Sequence, residues 1–264
     1  MALLKQLVEL GRSAKQWTDI YPIEKWKVDY EDRRMLTSEE SWRLRRALYR
    51  LWLYGRAFHN HRYTRYGRLQ QQIVLERVEL LHNWTTEELA EMEDVRGVIR
   101  EVIRSQVCPS NGTIQRQFRK RFPDSDHQLL FNIHLNYPPP ASNFQNYFHS
   151  AHQTNASMRT ARATKFMPNQ RHEPGAEGWG DEVPHYYVVE DMLKLDPAQV
   201  LWLKDNAPLK GMVEAYVRNL GDWFENNGET FGQTMELVVQ DRELEVEDLK
   251  EAILNKTVGI VKTE

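Results

Sequence analysis

Apolar residues along this chain recur mostly at three- and four-residue spacing, the period of one helical face, and rarely alternate as strands do. Met1 to Leu10 has that period, broken by Lys5 and Glu9, and predicts a short amphipathic helix. From Trp17 to Leu36 no period is clear and Pro22 intervenes, so an extended, aromatic-studded connector is expected. Thr37-Ser38-Glu39-Glu40 has capping-box spacing and opens a helix to about Phe58. A helix over 68–82 follows. A second box, Thr85 to Glu88, opens a helix to about Val107 with Leu89, Met92, Val95 and Ile99 on its apolar face. Asn111-Gly112 reads as a turn, followed by short helices over 113–122 and 125–135, and a short aromatic helix over 142–148. Residues 150–182 are polar and poor in branched side chains, the pattern of a functional loop or linker. His185 to Val189 fits a short strand or a helix entry. Asp196-Pro197 is an N-cap with proline at the first helical position, Pro208 starts another helix ending by Gly228, and a last helix covers 244–254.

The expected fold class is therefore mainly α, an irregular multi-helix arrangement with a long loop around 150–184. A basic helical domain over 1–140, a linker over 141–184 and an acidic helical region over 185–264, packed on the first, make up the expected organisation.

Charge supports that division. Residues 1–122 carry 23 Lys and Arg against 16 Asp and Glu, whereas residues 123–264 carry 12 against 22. Such polarity serves either mutual attraction of the halves or separate partners, the former being the default. A hydrophobic share of 41% predicts a globular core. The single cysteine, Cys108, excludes an internal disulfide and reads as a helix-end residue rather than a nucleophile. No stretch approaches the length of a membrane span and no signal peptide is evident, so a soluble intracellular protein, cytoplasmic or nuclear, is expected.

The segment 42–68 changes the picture most. No acidic residue lies between Glu40 and Glu76, while eight arginines interleave with aromatics. Placed on a helix, Leu44, Leu48, Leu51, Gly55 and Phe58 form one apolar stripe, and Trp42, Tyr49 and Leu53 form a second, roughly opposite. Arg43, Arg46 and Arg50 flank the second stripe on one side, Arg45 and Arg56 on the other. Two stripes suit, first, a central helix covered on both sides, its arginines reaching acids of the second half. They suit, second, a protein-docking face, because Trp, Tyr and Arg dominate binding hot spots. A nucleic-acid contact, with arginine on phosphate and stacked aromatics, is the alternative function. The candidate partner-binding residues are Trp42, Arg46, Tyr49, Arg50, Leu53 and Arg56, joined by Trp179, which sits between glycines in the long loop and suits an anchor.

Leu36 to Phe58, with its Ser/Glu helix start, Arg45-Arg46-Ala47-Leu48-Tyr49-Arg50 core and aromatic tail, resembles a stretch of filamentous-fungal F-box-like proteins. Trp84 to Met92 loosely resembles their next helix. The resemblance implies a fungal helical scaffold or substrate-receptor protein, although the chain carries no F-box itself.

Candidate chemistry is sparse. His59-Asn60-His61 and His149 to His152 lack the third and fourth ligands zinc needs. Gly175 to Gly180 lacks the spacing and the preceding strand of a nucleotide-binding loop. No catalytic residue, metal site or cofactor is expected. The acidic run from Glu236 to Glu251 reads as a solvated helix face, or as a docking surface for a basic protein such as a histone tail. The function expected is that of a non-enzymatic interaction protein, a subunit or adaptor of a larger intracellular complex, with a nuclear or chromatin setting among the options.

Overall fold

Thr37 and Glu40 place the start of one helix, and Thr85 and Glu88 that of another. In each pair the threonine hydroxyl accepts from the glutamate amide and the glutamate carboxylate accepts from the threonine amide. A third box, Asp196 with Gln199, opens a helix that has Pro197 at its first position. The computed structural model describes residues 2–63, 67, 70–121, 123, 185–208, 210–221, 223–224 and 228–263. Among them lie ten α-helices and no strand: α1 (Ala2–Lys25), α2 (Ser38–Phe58), α3 (Gln71–His82), α4 (Thr86–Val102), α5 (Asn111–Arg121), α6 (His185–Met192), α7 (Pro197–Asn206), α8 (Lys210–Asn219), α9 (Phe231–Asp241) and α10 (Val246–Leu254). The mainly α class is as the periodicity predicts.

Several elements differ from the sequence expectation: Asn111-Gly112, read as a turn, begins α5, and the helix expected from Pro208 to Gly228 is α8, ending at Asn219. α1 continues through Trp17 to Lys25 where a connector was expected. Its buried side chains Leu10, Ala14, Trp17 and Tyr21 hold helical spacing, and Pro22, one turn from the end, forfeits only the bond to the Thr18 carbonyl. His185 to Val189 begins a helix and not a strand. Phe231 to Asp241 forms α9 with Phe231, Thr234, Met235, Val238 and Val239 buried, where only a solvated helix face from Glu236 onward was expected. The expected helices over 125–135 and 142–148 and the loop over 150–182 lie outside the described residues.

The central helix is α4, not α2. α2, α1, α7 and α10 all pack on it, while α9 packs on α3 and α10. Eleven residues of α4 are buried, Glu91, Glu93, Asp94 and Arg96 among them. A buried charge is tolerated only when paired, and each of these is. Asp94 accepts from Tyr21 Oη at 2.7 Å, Lys25 Nζ at 2.6 Å and the Ile260 amide at 3.0 Å. That last bond folds the C-terminal segment onto α4 at Gly259, whose φ of 104° is natural only to glycine and where a Cβ would lie 2.8 Å from Asp94 Oδ2. Arg96 is gripped by Glu93, Glu190 and Glu229 at 3.4, 3.4 and 3.1 Å. Burial acts to lower its pKa, but those three carboxylates reverse the shift and hold it charged.

One core runs through the described parts of both halves. Trp17 Nε1 donates to the Pro197 carbonyl at 3.0 Å, and the Tyr54 hydroxyl bonds the Thr230 and Thr234 hydroxyls at 3.0 Å each. Behind α4 a π-helical turn over Ile103–Val107 meets α6 and α7, carrying the first half onto the second.

Candidate functional site: the outer face of the arginine helix

α2 presents its two stripes to different surroundings. Leu44, Ala47 and Leu48 are fully buried, and Phe58 and Tyr54 join them, Tyr54 being a core residue the two-stripe reading missed. On the other side Trp42, Tyr49 and Leu53 are 57, 39 and 44% exposed. Among the described residues one side is core, and the other, apart from the contact of Tyr49 with α1, is open.

Among the described residues, Arg46 and Arg50 find acids of the first half rather than the second, and only Arg56 acts on a second-half carboxylate, Asp196. Arg46 clamps Glu91 through Nε at 3.0 Å and Nη2 at 2.5 Å, and Arg50 Nη2 donates to Glu88 at 2.5 Å. Both acids belong to α4, in the basic first half. The reason is register: positions 46 and 50 of α2 lie one turn apart, and so nearly do 88 and 91, so two antiparallel rows of opposite charge meet along the helix contact. Acids of the second half instead serve α4, with Arg100 Nε donating to Glu190 at 2.6 Å. Arg43 caps the C-terminal segment through the Ile260 carbonyl at 3.1 Å.

These ion pairs hold the exposed stripe in place. The Arg46 guanidinium, fixed by Glu91, lies 4.2 Å from the centre of the Trp42 ring. A cation on that face restrains the indole while leaving its other face to solvent. Glu88 has two tasks, closing the α4 capping box and accepting from Arg50. Burial opposes ionisation there, yet the Thr85 amide and Arg50 together keep its pKa below the usual value. Arg56 is exposed, 5.9 Å from the Trp52 ring. Trp179 lies outside the described residues.

The sequence reading did not include α1 in this face. A Cβ on Gly11 would lie 3.6 Å from Tyr49 Oη, so Tyr49 rests directly on α1. Leu7 and Val8, one turn before Gly11, are 43 and 55% exposed. Since α1 and α2 are joined by residues 26–37 and run antiparallel, this turn of α1 lies on the side toward Leu53. Beside the exposed Trp42, Tyr49 and Leu53, the neighbouring turn of α1 thus adds exposed Leu7 and Val8, and Arg45 and Arg56 are exposed on α2. The apolar period of residues 4–8 was that turn's only sequence signal.

Histidine chemistry is not concentrated here. His59 is buried, and burial together with Lys194 and Arg96 pushes its pKa down to about 3, whereas His61 is exposed. No group of three or more His, Cys, Asp or Glu suited to a metal occurs among the described residues, and none of their helices is long and apolar enough to cross a membrane. No family model, curated protein or solved structure matches the chain.

Proposed function

We propose that this chain is a non-enzymatic interaction protein, an intracellular subunit or adaptor that holds a protein partner on the outer face of α2. The observation that carries the reading is the exposure of Trp42, Tyr49 and Leu53 on a helix whose opposite side packs into the core through Leu44, Ala47, Leu48 and Phe58. Large apolar side chains grouped on one face, rather than scattered, mark binding surfaces. Restraint of Trp42 by Arg46 lowers the entropy lost on docking, which is how aromatic anchors gain affinity. A resemblance to fungal F-box-like scaffolds agrees with a role inside an assembly, in cytoplasm or nucleus.

A nucleic-acid contact by the same segment is weaker, because Arg46 and Arg50 already neutralise Glu91 and Glu88. The test is affinity purification of the full chain, comparing the wild type with Trp42→Ala/Tyr49→Ala by mass spectrometry. A protein lost from the variant, with unfolding behaviour unchanged, supports the reading. Nucleic acid in place of protein, displaced by raised salt, overturns it, and so does an unchanged set of bound proteins.

A further inference from the structure

A second surface lies on the far side of α4, in a groove of about 780 Å³ between α4, the end of α1, α9 and α10. Its floor is apolar: Val98, Met235, Val246 and Ile253 line it, and Leu254 stands at its edge 75% exposed. Its walls are acidic, with eight carboxylates against four cations among the lining residues. Most of those acids are committed within the fold: Asp94, Glu93, Glu190 and Glu229 to Lys25, Arg96 and Arg100, Glu24 to Lys27 and Gln106, and Glu101 to Lys27 and Arg104. Glu236 and Glu247, on the α9 and α10 side, are exposed. Among the described residues Glu236 meets the Gln240 amide at 3.5 Å, and Glu247 a solvent-screened Lys250 at 3.3 Å. This is where the acidic run read from the sequence ends up: not one helix but two, α9 and α10, turning at Glu243 with φ 60°.

Gly97 adds an independent observation. It sits in the interior of α4, where glycine costs about 1 kcal/mol relative to alanine. A Cβ there would meet nothing within 4 Å, so packing inside the fold does not require glycine. The position lines the groove, and a missing side chain there keeps the floor open to close approach.

We propose that this groove binds a cationic, amphipathic peptide segment, its aliphatic side chains on Val246, Met235, Ile253 and Leu254 and its lysines or arginines on Glu236 and Glu247. Charge complementarity selects the occupant. An acidic or neutral apolar segment would leave the exposed Glu236 and Glu247 facing it without a countercharge, while a basic one is drawn in by them.

The experiment is fluorescence anisotropy of the full chain with a labelled lysine–leucine peptide and its glutamate–leucine counterpart, at about 50 mM salt where screening is weak. The lysine peptide is expected to bind and the glutamate peptide not. Glu236→Gln/Glu247→Gln should weaken binding about three- to tenfold, the range of two solvent-screened ion pairs. Gly97→Phe, filling the floor, should weaken it at least about tenfold, as loss of a buried contact does. Trp42→Ala/Tyr49→Ala should leave it unchanged, which separates this groove from the α2 face. Equal affinity for both peptides, or binding indifferent to both groove variants, overturns the proposal. So does self-association of the chain that Gly97→Phe abolishes, which would make a second copy the occupant.

Discussion

At the scale of single residues, His59 and Asp94 carry charges or protons that the core must accommodate. The His59 imidazole is held neutral, with its pKa near 3, by burial and by Lys194 and Arg96. The unfolded chain binds a proton near pH 6.5 that the folded chain refuses until about pH 3, so stability is full above 6.5 and falls as the pH drops below it. The expected slope is about 1.4 kcal/mol per pH unit between pH 6 and 4.5, above the range where Glu40, held ionised chiefly by Arg34, begins to protonate. Asp196, whose pKa burial raises, acts in the opposite sense. The difference between wild type and His59→Gln in denaturant midpoints across that pH range isolates the histidine; a pH-independent difference would contradict the assignment. Asp94→Ala strands Lys25 and the Tyr21 hydroxyl and frees the Ile260 amide, and should cost about 3 kcal/mol in urea unfolding. Gly259→Ala should cost about 1–3 kcal/mol through its positive φ alone, with the Asp94 contact adding to that.

At the scale of elements, capping decides where helices start and burial decides which of them is central. Glu88 allows the two contributions to be separated. Glu88→Ala removes both the cap and the Arg50 partner and is expected to cost about 1–2 kcal/mol, while Glu88→Gln keeps an acceptor for the Thr85 amide and loses only the charge, about half as much. Equal losses measured by thermal unfolding would mean that the capping bond contributes nothing. The capping boxes and the Asp196-Pro197 start were legible in the sequence because they depend on residues three positions apart. α4 was misjudged because its buried acids and Arg96 look, in sequence, like a solvent face. Only their partners on α1, α2, α6 and in the C-terminal segment reveal burial, and those lie 45 to 166 residues away. The length of α1 was obscured by Pro22, although Leu10, Ala14, Trp17 and Tyr21 kept the period throughout. The outer stripe of α2 was legible residue by residue; that it faces solvent was not, because two apolar stripes look the same whether the second is covered or free.

At the scale of the whole molecule, α4 is the axis on which the basic first half and the described part of the acidic second half meet. Its N-terminal acids neutralise the α2 arginines and its later arginines neutralise Glu190 and Glu229. The charge asymmetry of the sequence is thus partly consumed inside the fold, chiefly through α4; among the described residues the α2 arginines reach the acidic half through the Arg43 bond to the Ile260 carbonyl and the field of Arg56 at Asp196. Among the described residues, what remains outside includes an apolar, arginine-flanked face on α2 and an acidic groove on the opposite flank of α4, two surfaces of contrasting character.

The central claim is that one side of α2 holds the fold together and the other does not. Thermal unfolding of Trp42→Ala/Tyr49→Ala/Leu53→Ala beside Leu48→Ala tests it most directly. Leu48, fully buried, should cost about 2–5 kcal/mol, a fall in Tm of about 5–15 °C for a chain of this size. The outer triple variant should stay within about 3 °C of wild type despite losing three large side chains. A triple variant that melts as early as Leu48→Ala would make the outer stripe part of the core and contradict the account.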